Sequence, residues 1–340
     1  MGEMMKAAVF VSEGNLVVKD VPVPQITKGD QVLIEVEACS ICGTDVHITA
    51  VPPGYIATPN TILGHEFVGY VRAKGELVDQ VEIGQRVVVN PNNYCGKCVY
   101  CKKNLPNQCE NIEALGIDYD GAFAKYCVVS DKVVYPIAKD VDAGVAACAE
   151  PLACVVNGIN KADVKPGDSA VVVGAGPIGL MIAMMLKSAG VDKLFILETA
   201  PVRAAFAENL KLGRVINPIT EKAGEIVTEA TGIGADFVFD VTGSQMVSCV
   251  DMVRKGGTVV LFGVNKMARK EIAQCEITTK EISVKGTWLA NATFPQAVSI
   301  IESGVIDLSK LITATYPLEQ IHEGLELLRK GEAVKVIIKP

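Results

Sequence analysis

Val171-Val172-Val173-Gly174-Ala175-Gly176-Pro177-Ile178-Gly179-Leu180 is a run of β-branched residues that breaks into glycines and then into an apolar helix. A Gly-x-Gly-x-x-Gly pattern between a strand and a helix is the signature of a dinucleotide-binding unit. Gly174 permits the tight turn, Gly176 lets a pyrophosphate approach the backbone, and Gly179 lets helix pack on strand. The helix opens at Pro177-Ile178-Gly179, and the free N–H groups at its start are left for the phosphates. The next strand ends at Glu198, whose carboxylate can accept hydrogen bonds from both adenosine ribose hydroxyls. The same charge repels a 2′-phosphate, which predicts NAD rather than NADP. Arg203 could in principle hold such a phosphate. With Glu198 at the ribose, it is read as a cover over the adenine or as one half of a surface ion pair.

Working outward from this loop, strands and helices alternate. The pattern predicts strands at 170–173, 194–197, 215–216, 237–240, 258–262 and 283–285, with helices from Pro177 to Ala189 and around 203–210. Strands apolar on both faces, alternating with helices, indicate a parallel sheet covered by helices. Upstream, from Lys6 to about Tyr135, the apolar residues come in short β-branched bursts such as 32–36 and 87–89, separated by Gly, Pro, Asn and Asp. That is an all-β pattern. The texture turns helical after Asp142, and Val164-Lys165-Pro166-Gly167-Asp168 reads as a turn into a new strand, so the boundary falls near 151–165. A chain of 340 residues suits two cores better than one. The last fifty residues, with strands expected at 315–317 and 335–339, can join either region on pattern alone.

The composition excludes several classes of partner. Net charge is −7 and no segment is densely basic, which argues against nucleic acid and anionic membrane. The apolar stretch from Ala170 to Leu186 is too short for a bilayer and is broken by Gly174, Gly176, Pro177 and Gly179. The stretch from Met1 to Lys19 has no apolar core of signal-peptide length, so a cytoplasmic location is expected. In that compartment eleven cysteines imply metal ligands or free thiols rather than disulfides.

Four of them, Cys95, Cys98, Cys101 and Cys109, follow a C-x2-C-x2-C-x7-C spacing. Soft thiolates in this arrangement can close around one tetrahedral Zn²⁺. Iron–sulfur runs begin alike but close with a shorter step and a proline, and Cys109 comes too late for that. Gly96 and Lys97 suit a tight knuckle whose N–H groups point at sulfur. A redox C-x-x-C pair would need a strand-then-helix context that is missing here.

Only three histidines exist, His47, His65 and His322. His65 stands in Gly64-His65-Glu66, Cys42 in Cys-Gly-Thr-Asp-Val-His, and Glu150 in Ala-Glu-Pro-Leu. Cysteine, histidine and carboxylate from separate segments can build a second, open zinc site. Cys42-Gly43-Thr44-Asp45, Gly64 to Gly69, the four-cysteine lobe, Glu150-Pro151-Leu152, the Gly174–Gly179 loop and Glu198 occur in the order found in the zinc-dependent medium-chain alcohol dehydrogenases. The chain resembles that family over nearly its whole length.

The resemblance implies a GroES-like β catalytic domain at 1–155 and 291–340 and a Rossmann doubly wound parallel-sheet domain at 156–290. It implies two zinc ions per chain, NAD, and a homodimer or homotetramer. Cys42, His65 and Glu66 match the catalytic zinc ligands, with Glu150 at a further ligand position, and which glutamate binds directly stays open. Asp45 matches the carboxylate that orients the zinc-bound imidazole. Thr44 and His47 match a proton relay that passes through a cofactor ribose hydroxyl. Beyond the glycine loop, Glu198 and Arg203, the cofactor positions are Thr242, Gly263, Val264 and Trp288. Zinc in such a site lowers the pKa of a bound alcohol, and hydride passes to the nicotinamide.

A carboxylate at Glu150 is similar to the sorbitol, threonine and sugar-alcohol branch. Sorbitol-specific relatives carry an Arg-Tyr pair where this chain has Leu289-Ala290, and an aromatic where it has Ile48. Threonine-specific relatives place a histidine where this chain has Asn90-Pro91-Asn92-Asn93-Tyr94. Lys211 stands where relatives commonly end a helix with Gly. The expected reaction interconverts a secondary alcohol, whether polyol, sugar alcohol or vicinal diol, and its ketone. The alternatives are L-threonine 3-dehydrogenase, a sugar-alcohol-phosphate dehydrogenase, or a non-catalytic NAD-binding structural relative.

Overall fold

A computed structural model describes residues 2–340, and all counts and absences below refer to these. The chain divides into two compact units, Met1–Ala153 with Ala290–Pro340, and Cys154–Leu289. The first division falls inside the helix Ala149–Ala162.

The first unit is built on a seven-stranded sheet. Its order is Val134–Pro136, Arg86–Val89, Glu66–Lys74, Gln31–Ser40, Lys335–Lys339 and Ile312–Pro317, with Tyr126–Ser130 also paired to Gln31–Ser40. The closing strand Lys335–Lys339 thus lies antiparallel to Gln31–Ser40. Its position is explained by Val336, Ile337 and Ile338, all buried in the sheet interior. A three-stranded sheet of Asn15–Pro22, Met4–Ser12 and Thr61–Ile62 completes the β structure that the bursts of Val and Ile predict.

The second unit holds a six-stranded, all-parallel sheet in the order Arg214–Ile216, Lys193–Leu197, Ser169–Val173, Ala235–Asp240, Val253–Leu261 and Ser283–Gly286. Its first three strands run outward one way and its last three the other. The strand order therefore reverses between Ser169–Val173 and Ala235–Asp240, where a doubly wound sheet opens its ligand crevice. Ser169–Val173 is buried along its whole length, and the helix Pro177–Ser188 buries Leu180, Met181, Ile182 and Ala183 against the sheet. The apolar run from Ala170 to Leu186 is consequently one strand and one twelve-residue helix, and no helix is long and apolar enough to cross a membrane. Lys211 ends the helix Pro201–Leu210 in the left-handed conformation, φ 53°, so a lysine performs the cap that glycine performs at no steric cost.

Candidate active site

Pairing of Gln31–Ser40 with Glu66–Lys74 sets Ser40 opposite Glu66. Two residues beyond Ser40, Cys42 caps the helix Gly43–Ile48 and so lands near Glu66. The cap is reciprocal: Thr44 donates its N–H to Cys42 Sγ at 3.4 Å, and Cys42 donates its own to Asp45 Oδ2 at 2.8 Å. The ligand atoms of Cys42, His65 and Glu66 all lie within 4.8 Å of one another.

His65 is aimed by glycines. Gly64 has φ +90°, and a Cβ on it would stand 2.7 Å from the Phe123 ring; Cβ atoms on Gly116 and Gly121 would stand 2.6 and 2.2 Å from the carbonyl oxygen of Gly64. Three backbones therefore pack where side chains cannot enter.

Asp45 Oδ1 and His65 Nδ1 are buried, 3.7 Å apart, and neither has a hydrogen-bond partner. Burial pushes the Asp45 carboxyl up, and the Cys42 thiol as well. Burial works against a charge on His65, yet Asp45, Cys42 and Glu66 outweigh it and hold the imidazole pKa well above its ordinary value. A half-buried Cys with a buried His and Glu, converging beside orphaned polar atoms, fits a zinc ion: the donors are of the right kind, and Asp45 stands where a carboxylate fixes an imidazole's outer nitrogen.

Lys335, which the sequence reading missed, is the counter-charge of this site. Its Nζ donates to Glu66 Oε2, as does Ser40 Oγ, and it reaches the carbonyl of Ile41 at 3.3 Å. Burial opposes its charge, but Glu66, Cys148 and Cys42 raise its pKa above the ordinary lysine value. Glu150 lies in the first turn of the helix Ala149–Ala162, buried but outside the Cys42 group. The structure thus brings together three of the four expected ligands. Thr44 and His47 sit one turn apart on the Gly43–Ile48 helix, with His47 exposed.

The lobe is a different construction. The four sulfurs of Cys95, Cys98, Cys101 and Cys109 lie within 4.8 Å of one another, with Cys98 Sγ 3.6 Å from Cys101 Sγ and 3.9 Å from Cys109 Sγ. A zinc tetrahedron with bonds of about 2.3 Å has sulfur–sulfur edges of roughly 3.8 Å, so the lobe fits one ion. Gly96 makes the knuckle at φ +72°, and N–H groups of Cys98, Cys95 and Asn111 point at sulfur over 3.3–3.4 Å. Backbone N–H donors, Lys97 first, hold the Cys95 thiol down at about 6, whereas burial and neighbouring thiols push Cys101 up to about 12. No cysteine is in a disulfide.

In the second unit Gly174 turns at φ +110°, a Cβ on Gly179 would stand 1.9 Å from the Gly174 carbonyl oxygen, and the space around Gly176 is open. Gly176 caps the Pro177–Ser188 helix without a side-chain bond, so the first N–H groups stay available. Glu198 directly follows the strand Lys193–Leu197, but its oxygens are engaged: they accept from the N–H groups of Ala175, Thr199 and Ala200, and Arg203 grips both at 3.1 Å. Burial alone would raise this carboxyl; Arg203 and the backbone donors outweigh it and hold it below the ordinary range. Arg203 is therefore an ion-pair partner of Glu198. Thr242 Oγ1 donates to Asp240 Oδ1, Gly263 lies against Gly243 with no room for a Cβ, and Val264 and Trp288 are exposed.

Comparison with known proteins agrees with this geometry. Residues 28–139 match the alcohol dehydrogenase GroES-like domain and residues 177–303 the zinc-binding dehydrogenase domain. D-arabinitol dehydrogenase 1 of Uromyces fabae is 31% identical over 96% of this chain and 94% of its own. L-threonine 3-dehydrogenase of Caldanaerobacter subterraneus is 36% identical over the full length of both. A zinc-binding dehydrogenase from Sinorhizobium meliloti 1021, solved with NADP, superposes with a TM-score of 0.93 at 30% identity, covering 99% of this chain and 100% of that one.

Proposed function

This chain belongs to the zinc-dependent medium-chain alcohol dehydrogenases, and on that premise we propose that it interconverts a secondary alcohol and its ketone, with NAD as hydride partner. The observation that carries the reading is the convergence of half-buried Cys42 with buried His65 and Glu66 beside the unpartnered Asp45 and His65 atoms. When bound, zinc supplies a Lewis acid that lowers the pKa of an alcohol hydroxyl, and the nicotinamide supplies the hydride acceptor.

The chain's own residues do the rest. Cys42 and His65 hold the metal, Asp45 holds the imidazole, and Glu66 or Glu150 supplies the carboxylate. Lys335 and Ser40 fix the direction of Glu66. Thr44 and the exposed His47, three residues apart on one helix face, give the leaving proton a route towards solvent. The Gly174–Gly179 loop binds the pyrophosphate, Glu198 favours NAD over NADP, and Thr242, Gly263, Val264 and Trp288 line the rest of the cofactor. Because the S. meliloti relative holds NADP, the preference for NAD rests on Glu198 alone.

Relatives named for D-arabinitol and L-threonine bracket the substrate class. Leu289 and Ala290 discriminate poorly, so activity should spread over polyols, sugar alcohols and vicinal diols with modest ratios, since an apolar wall rejects an added hydroxyl by only about 10²-fold. The eleven cysteines, none in a disulfide, support the cytoplasm, and the exposed edge strand Ser283–Gly286 supports a homodimer or homotetramer. The test is metal analysis of purified protein together with NAD⁺ reduction on D-arabinitol, sorbitol, 2,3-butanediol, L-threonine and a sugar-alcohol phosphate. Two zinc per chain with turnover on polyols or diols is expected. One zinc and no turnover would establish the non-catalytic relative instead.

A further inference from the structure

Three turns leave the C-terminal ends of Ala235–Asp240, Val253–Leu261 and Ser283–Gly286, the half of the sheet beyond the point where strand order reverses. A dinucleotide laid across such strand ends, with its adenosine at Glu198, brings its nicotinamide to these turns. The first two turns are locked from within. Asp240 accepts from Thr242 N–H and Oγ1, Gly243 N–H and Gln245 N–H, and the glycine backbones at 243 and 263 touch.

The third turn, Thr287 to Leu289, is held from outside by Asn157 of the helix Ala149–Ala162. Asn157 is buried, and its Nδ2 donates to the carbonyls of Trp288 at 3.3 Å and Leu289 at 2.7 Å. The neighbouring Gly158 allows the close approach, since a Cβ there would stand 3.0 Å from Phe262 and 3.6 Å from Thr287. The turn needs such a hold: Leu289 has φ +52°, a conformation that a leucine keeps only when its surroundings impose it. Within the turn Thr287 Oγ1 is buried without a hydrogen-bond partner, and the Trp288 side chain is exposed.

We propose that Asn157 is a positioning residue for the nicotinamide half of the cofactor. By fixing the carbonyls of Trp288 and Leu289 it sets the turn on which Thr287 Oγ1 and the indole of Trp288 meet that half, and it takes no part in holding adenosine or pyrophosphate. The inference rests on the reading of the chain as an NAD-dependent dehydrogenase.

Trp288 is the chain's single tryptophan, so its fluorescence reports on this turn alone. Zinc-loaded wild-type protein, Asn157→Asp, which keeps the shape but loses the donor, and Asn157→Leu, in case a buried carboxylate prevents folding, are titrated with NADH and with ADP-ribose, which lacks the nicotinamide. NADH should quench Trp288 in the wild type. In the variants NADH should bind about tenfold more weakly or worse, the scale of one lost hydrogen bond, with weaker quenching and a raised KM for NAD⁺. ADP-ribose should bind both variants as it binds the wild type. Equal weakening of both ligands, or of neither, in an enzyme that still turns over overturns the role of Asn157 alone. Wild-type protein that neither binds NADH nor turns over overturns it together with the dehydrogenase reading.

Discussion

The four-cysteine lobe and the Cys42 site draw on the same thiolate chemistry and are assembled in opposite ways. All the lobe's ligands come from residues 95–109, and its backbone N–H groups already point at sulfur, so its shape is a local property. The Cys42 site gathers a helix cap, a residue aimed by three glycines, and a lysine 269 positions away from the carboxylate it neutralises. A closed local cage is suited to stability. A site strung between distant segments can leave a coordination position open, and it depends on the whole fold for its geometry.

The sharpest way to break that contrast is a pair of single substitutions. Cys42→Ser should bring turnover with NAD⁺ below detection while the unfolding free energy changes by less than about 1 kcal/mol. Cys98→Ser should instead cost one zinc and several kcal/mol of stability, on the order of 3 or more, because metal binding there is folding free energy. Turnover retained in Cys42→Ser protein on any accepted substrate would falsify the division of labour.

Next in size is Lys335→Met. It strands a buried carboxylate, which should destabilise the chain by about 3–5 kcal/mol, and Lys335→Met combined with Glu66→Gln should recover most of that loss. Calorimetry on these two variants and on Glu66→Gln alone decides it; an additive double variant would show that the pair is not coupled. Gly64→Ala comes third, at about 2–4 kcal/mol from a left-handed backbone and a clash with Phe123. Because only His65 is displaced, metal analysis should find the lobe's zinc retained and the other lost.

The smallest effect concerns Glu198, which like the lobe is held by its sequence neighbours. Glu198→Gln should narrow the preference for NAD over NADP by about 1–3 kcal/mol in kcat/KM. The folded chain holds this carboxyl below its ordinary 4.5, so the stability it contributes is complete above that value and is lost as pH falls through the lower folded value. The variant should therefore lose less stability than wild type on acidification below 4.5. Parallel acid-unfolding curves would remove the role assigned to the Arg203 pair.

What could be read from the sequence follows the same line. The lobe, the glycine loop and the alternation of the parallel sheet were legible because each is a pattern over neighbouring residues. Cys42 and His65 can be joined only through resemblance, since they stand 23 positions apart with a strand register between them. Lys335 was not legible. It opens a strand of Val and Ile, where a lysine reads as an exposed end, and only the pairing of Ile337 with Ser40 shows that it faces Glu66. Nor does a helix carrying Asn157 announce a bond to carbonyls more than a hundred positions away. Arg203, five residues after Glu198, reads from the sequence as an adenine cover or a surface ion pair, and the structure shows the pair, with Arg203 taking both carboxylate oxygens.

The distance between Glu66 and Lys335 also sets an order of events during synthesis. The lobe's last ligand, Cys109, precedes Lys335 by more than two hundred positions, so all four lobe ligands are present in a nascent chain that still lacks the strand Lys335–Lys339. Glu66 has to wait 269 further residues for its ammonium partner. A chain that stops short of Lys335 therefore carries the lobe's complete ligand set but a Glu66 without its buried counter-charge.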